Sequence, residues 1–212
     1  MSARLLAIPT LCQTTIIDVS TAKHYLKLAS LLMLQFVVMY GGANWISAQR
    51  ADIHHIYFEW ETRIPLVAPM AWVYASITPL MMSPAFFLDK PQLTTLAKQM
   101  AAAMLIATAV FLIYPGTTGY DSVVHSSRAI EAIRTIDLPY NVFPSLHVAL
   151  SSIIMLHLGT AVGVLGRVVL IVWMAALIAS VILTHQHHVA DVAGGLLLAY
   201  GCWRVITRPA AW

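Results

Sequence analysis

The sequence predicts an all-α polytopic membrane protein, in which a single domain forms a bundle of six transmembrane helices. Of the 212 residues, 59% are hydrophobic and only 10% are charged, and the mean hydropathy is +0.77. An ordinary soluble domain carries roughly 25% charged residues, because it must cover its surface. Water-soluble enzymes, disordered tails and disulfide-stapled secreted modules are therefore disfavoured, and a protein solvated by the bilayer remains.

Six apolar stretches are long enough for a membrane-spanning helix, which needs about 20 residues. A helix satisfies its own backbone hydrogen bonds, so each stretch can cross lipid. Residues 1–25 are predicted to form a cytoplasmic arm, residues 26–206 the six-helix core, and residues 115–142 one longer loop. The predicted spans are 26–46, 64–88, 96–114, 143–165, 167–183 and Val189–Ile206.

The distribution of basic residues predicts the orientation of the chain. With both termini in the cytoplasm, eight of the 12 Lys and Arg residues lie inside and four outside, while two of the nine acids lie inside. This asymmetry follows the positive-inside rule. It also accounts for the net charge of +3, and no basic stripe with interleaved aromatics indicates nucleic-acid binding. Cys12 and Cys202 lie at or near the reducing side, so no disulfide is expected.

The first polar cluster lies at the predicted outer start of the fourth span, in the run Asn141-Val142-Phe143-Pro144-Ser145-Leu146-His147. Pro144 suits the first turn of a helix, and the N–H groups of the residues after it, from Ser145 and Leu146 onward, make an anion site with the helix dipole. The Ser145 hydroxyl can donate to an anion, and His147 can hold or deliver a proton. A Pro-Ser helix start with an incidental interfacial histidine explains the same residues.

The second polar cluster covers residues 184–195, where the fifth span turns into the sixth. His187 and Asp191 are four residues apart, so on a helix they share a face and can hydrogen-bond. A carboxylate that accepts from one imidazole nitrogen fixes the tautomer and leaves the other nitrogen to act as base or nucleophile. Gly194 and Gly195 lack side chains and allow a neighbouring helix to approach closely.

The predicted topology places both clusters on the outer membrane face, although His147 and His187 are 40 residues apart in the sequence. A nucleophile, an acid and a helix N-terminus close together describe a site for phosphoryl or acyl transfer.

Together, the Pro144-Ser145-Leu146-His147 run and the pair His187 and Asp191 resemble the second and third signatures of the type 2 phosphatidic acid phosphatase (PAP2) superfamily. The chain resembles the Pro-Ser-Leu-His variant, which is related to inositolphosphotransferase-like proteins. The resemblance covers all six spans and implies a helical bundle of the PAP2 and haloperoxidase type.

The resemblance also implies a covalent mechanism without metal or other cofactor. His187 would attack phosphorus and form a phosphohistidine, Asp191 would orient it, and His147 would protonate the departing oxygen. Ser145 and the amides that begin with Leu146 would hold the phosphate oxygens. The implied partners are a lipid phosphate substrate and the bilayer.

The sequence departs from the family pattern in its cations. Residues 114–120 supply neither the Lys nor the Arg-Pro of the first signature, and Ser180 is not followed by the Arg of the third. A bound phosphate needs compensating charge. The candidates that could supply it are Arg128, Arg134 and a protonated His185. The two arginines also fit a solvated helix face with three-apart ion pairs.

Three functions stay open from the sequence. The first is a lipid-phosphate phosphatase at the outer leaflet of a bacterial inner membrane, a setting suggested by the small size and the lack of an Asn-x-Ser/Thr acceptor. The second is a lipid phosphotransferase with the same residues. The third is a metal-binding or transport protein that uses His185, His187 and His188. The remaining histidines of the outer loops and of span four, interpreted as interfacial, exposed or packing residues, are His54, His55, His125 and His157.

Overall fold

A computed structural model of the chain describes residues 18–120, 128, 130–131 and 140–206. These residues form an all-α membrane bundle. Its helices are α1 (Val19–Phe36), α2 (Gly42–Ser47), α3 (Met70–Ala75), α4 (Ile77–Met82), α5 (Pro84–Phe87), α6 (Lys90–Ile113), α7 (Leu146–Ala161), α8 (Val164–Leu183) and α9 (Val189–Ile206). Two short strands, β1 (His54–His55) and β2 (Gly116–Thr117), pair in parallel and join the loops that follow α2 and α6.

Four described helical segments are long and apolar enough to cross a membrane. They are Val19–Ser47, Lys90–Ile113, Val164–Leu183 and Val189–Ile206. The last matches the sixth predicted span. Helix α7 also lies in the bundle but has only 16 residues, fewer than the predicted span 143–165.

The first span is longer than predicted. A π-helical turn, Val37–Gly41, joins α1 to α2 without a break, so one helical segment of 29 residues replaces the predicted span 26–46. Hydropathy marks only the apolar part of this segment. Backbone hydrogen bonding continues the helix back to Val19, into the predicted arm. Isolated π-helical turns occur frequently at functional sites.

The second predicted span, 64–88, is not one helix but the three short helices α3, α4 and α5. A proline stands at or near the start of each: Pro69 precedes α3, Pro79 lies in the first turn of α4, and Pro84 begins α5. Proline lacks an N–H and clashes with the preceding turn, so it is tolerated at helix starts and interrupts a helix elsewhere. Apolar composition alone did not reveal these breaks.

Helix α6 begins six residues before the predicted start at 96 because Asp89 caps it. The Asp89 carboxylate accepts from the N–H of Gln92, and the Gln92 side chain accepts from the N–H of Asp89. This reciprocal capping box satisfies N–H groups at the polar end of the helix.

The bundle core lies where α6, α7 and α9 pack together. Its fully buried side chains are Leu80, Ala103, Ala107, Phe111, Ile153, Ile154 and Ala199. By contrast, α1 and α8 expose many large apolar side chains, as expected for helices that face lipid.

Candidate active site

The two polar clusters meet where α7 and α9 begin. Ser145 is the N-cap of α7, its hydroxyl oxygen accepts from the N–H of Val148, and its own N–H donates to the carbonyl of Asp191 at 3.0 Å. The helix therefore begins at Leu146, so the prediction that Pro144 occupies its first turn was wrong. Ser145, with its extended backbone, takes the capping position because its hydroxyl can satisfy an N–H group of the first turn.

Close packing of α7 on α9 depends on two glycines. A Cβ atom at Gly195 would lie 2.6 Å from the carbonyl oxygen of Ser145, and one at Gly194 would lie 2.6 Å from the Phe143 ring. The predicted close approach at these positions is confirmed.

The structure brings His147 and His187 together, with ring centroids 6.4 Å apart. His187 is buried, and its Nδ1 lies 3.5 Å from Oδ2 of Asp191, which is nearly completely buried. This distance exceeds the hydrogen-bond range. The same Asp191 oxygen accepts from the N–H of His188 at 2.8 Å. The carboxylate thus faces Nδ1 of His187 while it is anchored to the backbone.

Tyr74 of α3 is the partner of His147. Its hydroxyl lies 3.1 Å from Nδ1 of His147, and the two ring centroids are 4.1 Å apart. The phenol is itself buried against Val148, Val181 and Val192. Tyr74, which lies in the second predicted span, therefore orients the imidazole ring of His147.

A second buried histidine–carboxylate pair lies next to the first. Nδ1 of His188 is 2.9 Å from Oε2 of Glu61, and both side chains are almost inaccessible to solvent. Glu61 also accepts from the N–H groups of Phe58 and Val189. Nε2 of His188 contacts the carbonyl of Thr118. Nδ1 of His188 is also 3.4 Å from the hydroxyl of Tyr120, so the ring is held by contacts at both of its nitrogens.

Tyr120 packs against this pair. Its ring stacks on His185 at 3.8 Å and on His188 at 4.7 Å between centroids. Burial, together with the negative charges of Glu61 and Asp191, raises the pKa of the Tyr120 phenol to about 12. Tyr120 therefore stays protonated at neutral pH.

A cavity of about 530 Å³ leads away from the two histidines. His147, His187 and Asn141 line it, and most of its remaining wall is aliphatic, methionine or aromatic side chains from α1, α4, α6 and α7. Along α1 and the π-helical turn after it, the lining runs from Tyr25 to Tyr40, which is about 22 Å of helix at 1.5 Å per residue.

Comparison with protein families identifies the chain. The profile of the PAP2 superfamily matches residues 50–205. The chain belongs to the PAP2 superfamily. The matched range includes both polar clusters and supports a phosphatase-type activity in an integral membrane protein. The comparisons with curated proteins and with solved structures each give no match.

The side chains that would supply positive charge to a bound phosphate in this PAP2 protein stay a prediction. Nε2 of His185 lies 2.9 Å from the carbonyl of Ile64, and its ring is covered by Tyr120. Arg128 is exposed, and Arg134 lies outside the described residues, as does His125. Arg50 binds Asp52 through hydrogen bonds that hold the pKa of this carboxyl down to about 2.

The three histidines of the metal-binding hypothesis face different polar groups: His185 the carbonyl of Ile64, His187 the carboxylate of Asp191, and His188 the carboxylate of Glu61. Within the described part of the chain, no group of three His, Cys, Asp or Glu side chains is placed to hold a metal ion. His157, by contrast, pairs with the buried Gln99 at 2.8 Å, in agreement with the packing role expected for it.

Sequence reasoning missed Glu61 and Tyr74 as parts of this PAP2 site. Tyr74 lay in the stretch that resembles the family, but nothing in its neighbourhood indicated a histidine partner 73 residues away. Glu61 follows Tyr57, Phe58 and Trp60 and lies in the short 3₁₀ helix Glu59–Arg63. Only its proximity to an apolar span marked it as unusual, and its partner His188 follows 127 residues later.

Proposed function

We propose that this protein is a lipid-phosphate phosphatase that hydrolyses a phosphomonoester or pyrophosphate of a lipid through a phosphohistidine at His187. The observation that carries the proposal is the cavity. One apolar space reaches both His147 and His187, so a molecule that places phosphorus at the histidines must place an apolar chain along the wall. A soluble phosphate ester would leave that wall in contact with water, which costs free energy.

The length of the cavity favours a long chain. Its lining from Tyr25 to Tyr40 covers about 22 Å of helix. This length exceeds half the thickness of the hydrocarbon core of a bilayer, which is roughly 30 Å. A single acyl or prenyl chain drawn from one leaflet matches this reach. The exposed apolar faces of α1 and α8 are consistent with entry of the substrate from the bilayer.

In this proposal the reaction has two steps. Asp191 faces Nδ1 of His187, so Nε2 is the nitrogen that attacks phosphorus, and the bond from phosphorus to the lipid oxygen breaks. His147, oriented by Tyr74, gives its proton to that oxygen and the lipid alcohol leaves. Water then attacks the phosphohistidine, His147 takes the proton of the water, and inorganic phosphate leaves as the bond to nitrogen breaks.

In this proposal, the start of α7 stabilises the negative charge on the phosphoryl oxygens in the transition state. Ser145 and the N–H groups from Leu146 onward lie at the positive end of the helix dipole. Arg128, Arg134 and His185 remain the proposed sources of full positive charge. We place the site on the outer face, with both termini in the cytoplasm, from the distribution of basic residues.

The test is phosphate release in detergent from lysophosphatidate, phosphatidate and prenyl diphosphate, with a chelator present. We expect wild type to be active and both His187→Ala and His147→Ala to lose at least about a thousandfold in kcat. His24→Gln is the matched control, because His24 bonds Thr94 far from the site and should retain full activity.

Two results would overturn parts of the proposal. Activity that requires an added metal would exclude the metal-free mechanism. Phosphate that appears on a second lipid instead of in water would identify a phosphotransferase, in which a lipid alcohol replaces water at the phosphohistidine.

A further inference from the structure

We propose that Tyr25 closes the inner end of the cavity, opposite the two histidines, and thereby limits the length of the lipid chain that the protein accepts. This inference rests on the proposed phosphatase function and adds a residue that determines substrate specificity. Tyr25 takes no part in the phosphoryl-transfer chemistry, because it lies at the far end of the apolar wall.

The directions of α1 and α7 place Tyr25 at that end. Helix α7 begins at the site and lines the cavity from His147 to Ile154, so it runs away from the site. Helix α1 runs towards the site, because Tyr40, just beyond its end, accepts from the side-chain N–H of Asn141 shortly before α7. The first lining residue of α1 is therefore the one farthest from the histidines, and this residue is Tyr25.

The Tyr25 side chain joins two walls of the cavity. Its hydroxyl donates to the carbonyl of Met81 at 3.0 Å, and both residues line the cavity. Met81 lies in the last turn of α4, where helix carbonyls have no partner within the helix. The bond ties α1 to α4 at this level, and α1 also packs against α5, which follows α4. A chain that extends from the histidines along the wall therefore meets the phenol ring of Tyr25.

The position of Tyr25 corresponds to a definite chain length. The lining from Tyr40 to Tyr25 covers about 22 Å of helix. A saturated chain with carbon–carbon bonds of about 1.5 Å advances about 1.25 Å per carbon, so roughly 18 carbons cover this distance. A longer chain must displace the phenol or fold back on itself, and overpacking of this kind costs free energy.

The experiment measures phosphate release from three alkyl phosphates, in which the chain begins directly at the phosphate ester. They are dodecyl, octadecyl and docosyl phosphate, each presented in the same mixed detergent micelles. The readout is the ratio of kcat/KM between two chain lengths. Because both substrates are assayed on one preparation, an unfolded fraction cancels from the ratio.

The first variant removes the ring. We expect wild type to cleave docosyl phosphate at least about tenfold less efficiently than octadecyl phosphate, because a pocket of fixed length discriminates against extra methylenes. In Tyr25→Ala, docosyl phosphate should be cleaved as efficiently as octadecyl phosphate. Leu26→Ala is the matched control and should keep the wild-type ratio, since Leu26 is exposed and lies outside the lining.

The second variant shortens the cavity. Ala29 lines it one turn of α1 closer to the histidines than Tyr25, a difference of about 6 Å or roughly five carbons. Wild type should cleave octadecyl phosphate at least as well as dodecyl phosphate. In Ala29→Phe, octadecyl phosphate should fall at least about tenfold below dodecyl phosphate. Ser30→Phe places the same ring on an exposed position outside the lining and should keep the wild-type ratio.

The other outcomes overturn the inference. Equal cleavage of docosyl and octadecyl phosphate by wild type shows that no stop exists and leaves the phosphatase function intact. An unchanged ratio in Tyr25→Ala shows that Tyr25 is not the stop. Cleavage of phosphatidate but of none of the alkyl phosphates shows that the chain is not what the cavity recognises. A wild type that cleaves no lipid phosphate at all overturns the phosphatase function together with this inference.

Discussion

Glu61 and His188 form a buried carboxylate–histidine pair, with Oε2 of the carboxylate 2.9 Å from Nδ1 of the imidazole. The pair joins the short 3₁₀ helix Glu59–Arg63 to the start of α9, where Glu61 also accepts the N–H of Val189. The N–H of His188 in turn holds the Asp191 carboxylate. The pair therefore helps to position Asp191, which faces the proposed nucleophile His187. None of these hydrogen bonds involves the His187 side chain.

Removal of the Glu61 charge should destabilise the protein. Glu61→Gln keeps the shape, but one of the two buried oxygens that accept from the N–H groups of Phe58 and Val189 becomes an amide nitrogen that cannot accept. A buried donor left unpaired in this way costs about 1–3 kcal/mol. We expect the midpoint of thermal unfolding in detergent to fall by several degrees. Glu59→Gln is the matched control, since Glu59 is exposed two residues away. Equal midpoints for the two variants would show that the pair contributes no stability.

A methyl group at Gly195 should displace the start of α7, where the proposed site lies. Gly195→Ala would place Cβ 2.6 Å from the carbonyl oxygen of Ser145, a backbone atom that cannot move aside without shifting α7. We expect lower kcat and a lower unfolding midpoint, measured on the same purified sample. Gly201→Ala tests helix propensity alone, because nothing lies within 4 Å of its Cβ on the same helix. A Gly195→Ala protein that behaves like Gly201→Ala would contradict the packing argument.

Loss of the Tyr74 hydroxyl should reduce turnover more than stability. In Tyr74→Phe, the ring still packs on His147, but Nδ1 loses its partner at 3.1 Å. We expect kcat to drop by about tenfold, which is the effect of losing one hydrogen bond that orients a general acid. KM should change little. Tyr200→Phe serves as the comparison, because Tyr200 is an exposed residue of α9. Unchanged kcat in Tyr74→Phe would show that His147 is oriented by other contacts.

Stability at high pH should report on Tyr120. Its pKa is raised to about 12 in the folded protein, whereas an unfolded tyrosine titrates near about 10. The folded state then holds the proton more tightly, so this contribution is full below about pH 10 and is lost as pH rises through 12. We expect the unfolding midpoint of wild type to fall more steeply between pH 9 and about 12 than that of Tyr120→Phe. Parallel curves would show that Tyr120 is not shielded.

The sequence predicted the class of fold and the central residues because both depend on local patterns. Apolar length and charge asymmetry are properties of contiguous segments, and they indicated a helical membrane protein. The spacing of His187 and Asp191 is likewise local. It brings Nδ1 of His187 to 3.5 Å from the Asp191 carboxylate, but the predicted shared helix face was wrong, because His187 precedes α9. The glycines at 194 and 195 predicted close packing for the same reason, and the structure confirms it.

Helix boundaries were predicted less well, since hydropathy does not record hydrogen bonding. Capping by Asp89 extends α6 beyond its apolar part, and the prolines divide the second span, although both signals were present in the sequence. The start of α7 moved from Pro144 to Leu146 because the Ser145 hydroxyl caps it.

By itself, the sequence determined that this chain is a membrane bundle of the PAP2 type and that His147, His187 and Asp191 are its candidate catalytic residues. Only the tertiary structure decided what surrounds them: Tyr74 on His147, Glu61 on His188, and the apolar cavity. The physical reason is distance along the chain. The two side-chain contacts join residues 73 and 127 positions apart, and which buried polar atoms meet depends on how the helices pack.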